Sequence, residues 1–259
     1  MSNILLAGET GRGLVRPRNE DSFCLASCPE TSASLAVIAD GIGGQFGGDI
    51  ASYVCCKKFL DAWRKRNRRF FSEEDAAAFL RETANSVNRL LFERNRFEKN
   101  KTVMGTTVAC VLFWEDKMMT GHAGDSRVYM FLAGRGMTRL TCDHTLQEMM
   151  SRKGKVVSAK GIAMPPEDTI VQAVGIRGQL DLELQTFDRP SSARYLVCSD
   201  GLSRYVPEER IAGCMEQANT PREAVNLLFR EAFLAGAPDN VSVICGFPEE
   251  KTSNQRSDP

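Results

Sequence analysis

No stretch of about 18 consecutive apolar residues occurs in the 259-residue chain, so no membrane-spanning helix is expected. Histidine is scarce: His122 and His144 are too few to build a histidine-based metal centre. The nine cysteines include no Cys-x-x-Cys pair, which argues against a zinc site. Their number is odd, and Cys55, Cys110, Cys198 and Cys245 fall within apolar or helical patterns, so they read as reduced core residues. An excess of either charge is missing too. Lys+Arg and Asp+Glu both number 33, which removes the bulk attraction that a general nucleic-acid or membrane-surface binder needs. Met1 to Leu6 lack the basic start and long apolar core of a signal peptide, and the expected compartment is the cytoplasm. What remains is ordinary for a globular chain: 42% hydrophobic and 25% charged residues suffice for a core, and neither a repeat nor a linker divides it.

The stretch richest in chemical information runs from Leu35 to Gly44. Its apolar first half, Leu35 to Ala39, has the length and branched content of a buried strand. That strand delivers Asp40 directly into a turn containing Gly41, Gly43 and Gly44. A carboxylate at the end of a buried strand is costly unless it is paired or holds a metal. Oxygen ligands on a strand end and its loop suit hard cations. The plainer alternative is a glycine-rich turn leading into the helix that Asp49 caps.

Around this centre the chain alternates strand-like and helical segments. Ile4 to Glu9 and Phe23 to Ala26 predict strands on either side of a charged loop that carries Arg16, Arg18, Glu20 and Asp21. That loop reads either as solvated surface or as a guanidinium grip for an anion beside acidic residues that face a cation. Asp49 and Ser72 begin two long amphipathic helices, and the basic run Arg64 to Arg69 reads as a solvated helix end. Val108 to Trp114, Lys117 to His122 and Arg127 to Leu132 predict a three-stranded meander, with His122 a satisfied sheet residue. Asp143 is placed as the cap of a short helix, and Lys153 to Val171 as a loop long enough to be a functional flap. Leu180 to Phe187, Tyr195 to Cys198 and Val241 to Cys245 predict further strands; Pro207 to Met215 and Pro221 to Phe233 predict helices with proline in the first turn.

Four aspartates, Asp40, Asp125, Asp200 and Asp239, each stand at a predicted strand end or in the turn beside it, three of them next to a glycine. Charged residues normally decorate exposed faces, so this repeated placement predicts one shared acidic cluster. Clustered carboxylates raise each other's pKa unless cations neutralise them. Carboxylate and water ligands without His or Cys favour Mg or Mn over Zn. A pair of such ions about 3.5–4 Å apart can deprotonate a bridging water and hold a phosphoryl oxygen during in-line displacement. The residues alone therefore point to metal-dependent phosphoryl hydrolysis.

Six segments together resemble a known family. They are Gly13 to Ser22, Ala39 to Gly44, Met104 to Thr107, Gly124 to Arg127, Cys198 to Ser203, and Asp239 to Val243 with Asn240 inside it. In this order they look like the metal-dependent Ser/Thr protein phosphatases of the protein phosphatase 2C type, and most like single-domain bacterial members. The resemblance covers 1–247, which would be the catalytic domain, and leaves 248–259 as a disordered tail. It implies an α+β fold, a four-layer α-β-β-α sandwich with two central antiparallel sheets. It further implies that Asp40 bridges two Mn or Mg ions, that Gly41 lends a backbone carbonyl, and that Asp200 and Asp239 complete the second ion. By the same likeness Asp125 with Asp200 would hold a third, weaker ion. Glu20, Asp21 and Asn240 would act mainly through water, and Arg16 would grip the substrate phosphate. The implied partners are phosphoserine and phosphothreonine proteins that are substrates of a cognate Ser/Thr kinase, and the expected state is a monomer.

One departure stands out. Many eukaryotic relatives carry a histidine, proposed as the general acid, where this chain has Ile42. Protonation of the leaving group then falls to metal-bound water or to another group, with His144 a candidate. Two other functions are weighed against the leading one. A catalytically silent domain of the same fold, acting as a binding module, would be expected to lose metal aspartates or Arg16, all of which are present. A phosphodiesterase or nuclease built on the same carboxylates would be expected to carry a basic groove, which the balanced charge does not suggest.

Overall fold

The computed structural model describes residues 3–43, 47–66, 69–97, 103–152, 166 and 168–249. Gly44 of the glycine-rich turn, most of the expected flap and the end of the expected tail lie outside them.

Eleven strands form two antiparallel sheets among the described residues. The first sheet has the order β1 (Ile4–Gly11), β11 (Val241–Pro248), β10 (Arg194–Cys198), β7 (Arg127–Leu132) and β8 (Gly136–Arg139). The second runs β2 (Asp21–Cys28), β3 (Ala33–Ile42), β5 (Val108–Trp114), β6 (Lys117–Ala123) and β9 (Glu183–Asp188), with the short β4 (Gly105–Thr106) on the end of β3. The long helices α1 (Gly48–Lys65) and α2 (Glu73–Phe97) cover the second sheet. The short helices α3 (Leu146–Arg152) and α4 (Asp200–Ser203) precede α5 (Glu208–Gln217) and α6 (Pro221–Leu234), which cover the first sheet.

The layers follow from side-chain alternation, which sends successive residues of a strand to opposite faces. In β3, Leu35, Val37 and Ala39 join the core under α1 and α2, whereas Ala36 and Ile38 face the other sheet. In β10, Leu196 and Cys198 pack toward α5 and α6 while Tyr195 and Val197 meet the partner sheet. Strands buried on both faces read as continuous apolar runs, as these do. The α-β-β-α sandwich and its antiparallel sheets are as expected.

Several local expectations change. β5 and β6 pair as expected, but β7 leaves the meander and joins the other sheet beside β10. The crossing occurs at Gly124, whose φ of +117° only glycine tolerates well, and a Cβ there would meet Thr107. Asp49 lies inside the first turn of α1, and the residue before the helix is Gly47. Asp143 is not a cap: it pairs with Arg127, and Thr145 Oγ1 accepts the Glu148 N–H instead. Arg66, read as solvated, pairs with Asp75 at 2.5 Å and lies over the Phe70 ring. Finally, β11 extends to Pro248, paired with Ile4, so the first residue assigned to the tail belongs to the sheet.

The topology gathers strand ends. β2 begins where β3 ends, with Asp21 opposite Asp40. β11 begins beside the end of β10, with Val243 opposite Cys198, and Cys198 in turn faces Arg127. The loops carrying Glu20, Asp40, Asp125, Asp200 and Asp239 thus open at one end of the sandwich.

Candidate active site

Asp40 is held by its own backbone. Its N–H donates to Thr107 Oγ1 at 3.0 Å, and its carbonyl accepts from Thr106 Oγ1 at 2.9 Å and Thr107 N at 2.8 Å. Thr107 Oγ1 is itself bonded to Ser126 Oγ, next to Asp125. The Met-Gly-Thr-Thr segment therefore works as a clamp on the strand end, fixing where the Asp40 carboxyl points.

Four more carboxylates converge from both sheets. Asp21 reaches across the sandwich, where its Oδ2 accepts from Ser242 Oγ of β11 at 2.7 Å. Its Oδ1 is buried with no hydrogen-bond partner among the described residues. Asp40 and Asp200 are near enough that the charge of Asp200 helps raise Asp40. Asp125 is 3% exposed, and its Oδ1 is likewise buried without a partner. Asp239 lies at the rim, where its Oδ1 accepts the Asn240 N–H and its Oδ2 accepts from Arg16 at 2.7 Å.

Asn240 organises the loop that brings Arg16 and Glu20 to the site. Its Oδ1 accepts the Glu20 N–H at 2.8 Å, and its Nδ2 donates to the carbonyls of Arg12 and Arg18. Arg16 is half exposed, and its guanidinium is held more strongly protonated by Asp239, with lesser help from Asp200 and Asp40. It is thus aimed over the crevice with one face open to solvent.

Electrostatics mark the crevice as costly for an apo protein. Burial pushes Asp21 up to about 7, opposed by bonds from Ser242 and Ser199. Burial, then the charges of Asp21, Asp200 and Asp125, hold Asp40 well above the ordinary carboxylate range. Burial and Asp125 raise Asp200 to about 6, and burial and Asp49 raise Glu20. Such mutual elevation is what clustered carboxylates show, and a divalent cation among them would oppose it.

The residues fit divalent cations on two further observations. The unpartnered buried oxygen of Asp21 points to a positive partner, since buried polar atoms are ordinarily bonded. In addition, a Cβ built on Gly48 would lie 2.9 Å from the Gly41 carbonyl oxygen and 3.0 Å from Glu20 Oε1. That cradle, kept clear by glycine, brings a carbonyl and a carboxylate oxygen together, the donor set hard cations prefer.

A second cluster sits behind Asp125. Donor atoms of His122, His144 and Glu183 lie within 4.8 Å of one another, and the two rings stack with centroids 4.5 Å apart. Their hydrogen bonds give them another role. The Gly124 N–H donates to His144 Nδ1, so the ring proton sits on Nε2 and is directed at Glu183 Oε2 at 3.1 Å. The His144 N–H also donates to the Gly124 carbonyl. His122 Nε2 donates to the Cys142 carbonyl, as a satisfied sheet histidine would. Both ring nitrogens of His144 are committed, so it braces the turn before Asp125 and has no free nitrogen for a leaving group. The expectation of His144 as an acid is corrected accordingly.

Sequence reasoning missed Arg204. Its Nη2 donates to Asp125 Oδ2 at 2.6 Å, its Nε lies 3.0 Å from Asp200 Oδ2, and its Nη1 donates to Asp168 Oδ2 at 3.0 Å. The i, i+4 spacing from Asp200 was the available signal. Ser242, Gly48 and Thr106 were inside or beside motifs but carried no stated role.

The protein phosphatase 2C family model matches residues 16–232. Serine/threonine phosphatase Stp of Listeria monocytogenes is 28% identical over 91% of this chain and 92% of its own length. Serine/threonine protein phosphatase PstP of Mycobacterium tuberculosis is 30% identical over 92% of this chain, which spans 44% of that longer protein. The catalytic domain of a serine threonine protein phosphatase PstP, solved in complex with two manganese ions, superposes with a TM-score of 0.78 at 27% identity, over 95% of this chain and 99% of that one. The acidic crevice, the two-sheet sandwich and these likenesses agree, and the chain belongs to the protein phosphatase 2C family of Ser/Thr phosphatases.

Proposed function

We propose that this chain is a Mn- or Mg-dependent phosphatase that hydrolyses phosphoserine and phosphothreonine in proteins. The observation that carries this reading is the convergence of Asp40, Asp200, Asp239 and Glu20 beside the Gly41 carbonyl. Asp40, the Gly41 carbonyl, Asp200 and Asp239 would hold two ions, with Glu20, Asp21 and Asn240 supporting that shell directly or through water. When bound, such ions supply a water activated near neutral pH and positive charge for the phosphoryl oxygens.

The chain's own residues do the rest. The Thr106–Thr107 clamp keeps Asp40 from turning away, which preserves the orientation an in-line displacement needs. Arg16 offers a planar fork at the rim, suited to a phosphate dianion. Arg16 is paired with Asp239 at 2.7 Å, and that arm of the fork would be free for substrate if Asp239 held a cation instead. Ile42 opens one wall of a neighbouring cleft of about 640 Å³, lined also by Ile170, Ala173, Ile176 and Leu180. Gln172, Arg177, Gln179 and Asp181 also line it, and in this reading the cleft would take residues next to the phosphorylated one. The silent-module alternative has no support in the site, because each residue it would be expected to lose is present.

The test is hydrolysis of a phosphothreonine peptide by protein stripped with EDTA. The rate should vanish on stripping, return with Mn, and fall at least about 100-fold in Asp40→Asn protein whose circular dichroism is unchanged. A metal-independent rate, or an unaffected Asp40→Asn variant, would overturn the reading.

A further inference from the structure

Arg204 occupies the place that the family likeness reserves for a third ion. The expectation from sequence assigns Asp125 and Asp200 to that ion. In the structure one guanidinium already spans the pair, with Nη2 at 2.6 Å from Asp125 and Nε at 3.0 Å from Asp200. The Asp125 side chain is 3% exposed and that of Asp200 14%, against 31% for Arg204, so the carboxylate ends of both contacts are shielded from the solvent that weakens surface ion pairs. The third arm holds Asp168, two residues before the bridge that joins Ile170 to Thr145.

We propose that Arg204 is a built-in cation that substitutes for a divalent ion at the Asp125–Asp200 pair. It rests on the two-ion reading above and adds that this chain binds two ions, not three. A guanidinium carries one positive charge and matches carboxylate geometry through its fork, so it satisfies the pair while leaving Asp40 and Asp239 to the divalent ions. It occupies only Oδ2 of Asp125. Oδ1 remains buried and unpartnered, so loss of the arginine would free both oxygens of a carboxylate already turned into the crevice. Arg204 is therefore a positioning residue: it sets the ion count and orients Asp200, and at the same time ties the Asp168 segment to the crevice.

Calorimetric titration of Mn into the 259-residue protein, stripped with EDTA and then dialysed, distinguishes this from an ordinary stabilising ion pair. Wild-type protein should take up two equivalents and Arg204→Gln three, and the extra equivalent should disappear in Arg204→Gln/Asp125→Asn. Equal counts in wild type and Arg204→Gln would overturn the inference, as would three tightly held ions in the wild type. If Arg204→Gln does not fold, the wild-type count decides alone, two supporting and three overturning it. Uptake of no Mn by the wild type would instead defeat the two-ion chemistry, and this inference with it. A wild type that binds Mn with an unchanged count in the variant would defeat only the role of Arg204.

Discussion

His144 shows how much a single side chain's hydrogen bonds decide. With Ile42 where a proton donor stands in many relatives, the other histidine near the crevice was the natural substitute. Its Nδ1 is taken by the Gly124 N–H and its Nε2 faces Glu183, so its influence passes through the turn that carries Asp125. Replacing it with alanine leaves the Gly124 N–H without its partner, which costs about 1–2 kcal/mol. His144→Ala should therefore lower the midpoint of thermal unfolding while the pH profile of kcat keeps its shape. Disappearance of one limb of that profile would return His144 to the role of acid.

At the scale of elements, the strands are held in place by glycines that admit no side chain. A Cβ on Gly201, at the start of α4, would come within 1.8 Å of the Asn240 carbonyl oxygen. That contact is backbone, so it cannot move aside without disturbing Asp200 or Asp239. Gly201→Ala should cost about 3 kcal/mol or more, read from urea denaturation. Gly213, inside α5, meets nothing within 4 Å, and Gly213→Ala should raise stability by about 0.5–1 kcal/mol through helix propensity. The contrast separates glycines kept for space from one that is not.

The elements also show what could be read without coordinates. β3, β5 and β10 were legible because strands buried on both faces leave an unbroken apolar run, and α6 because Pro221 and its period mark its first turn. The sheet to which β7 belongs was not, since its pattern is the same whichever neighbour it meets and only the turn at Gly124 sends it across. The site aspartates stood out through their place after such runs. Arg204 did not, because a charged residue just past the end of a short helix looks like ordinary surface until Asp125 arrives from another segment. Asp143 misled for the same reason: its role as partner of Arg127 is a contact between segments distant in pairing, while a cap is a local signal.

For the molecule as a whole, the acidic crevice should make stability depend on pH in a particular sense. Asp21 and Asp200 are raised in the folded state to about 7 and about 6, so the native protein binds protons that the unfolded chain has already released. Stability from these groups is then present in full below the unfolded carboxylate value near 4 and is lost as pH rises through 6 and 7. In EDTA, the thermal midpoint should fall between pH 5 and pH 7.5, and Asp21→Asn should flatten that fall. Added Mn should reverse it at neutral pH by binding the ionised form. A midpoint that rises across this range in EDTA would mean the carboxylates are neutralised by something other than protons and ions.

The two sheets bring carboxylates to one shared edge: Asp21 and Asp40 come from one, and Asp200 of α4 and Asp239 follow or precede strands of the other. No helix of the described residues is long and apolar enough to cross a membrane. The central claim is that separate strand ends from both sheets meet because divalent ions sit among their carboxylates. The most direct measurement is an anomalous difference map from a crystal of the wild-type protein soaked in Mn. Two peaks are predicted, one against Asp40, Gly41 and Glu20 and one against Asp40, Asp200 and Asp239; a map with no peak inside the crevice would contradict the claim.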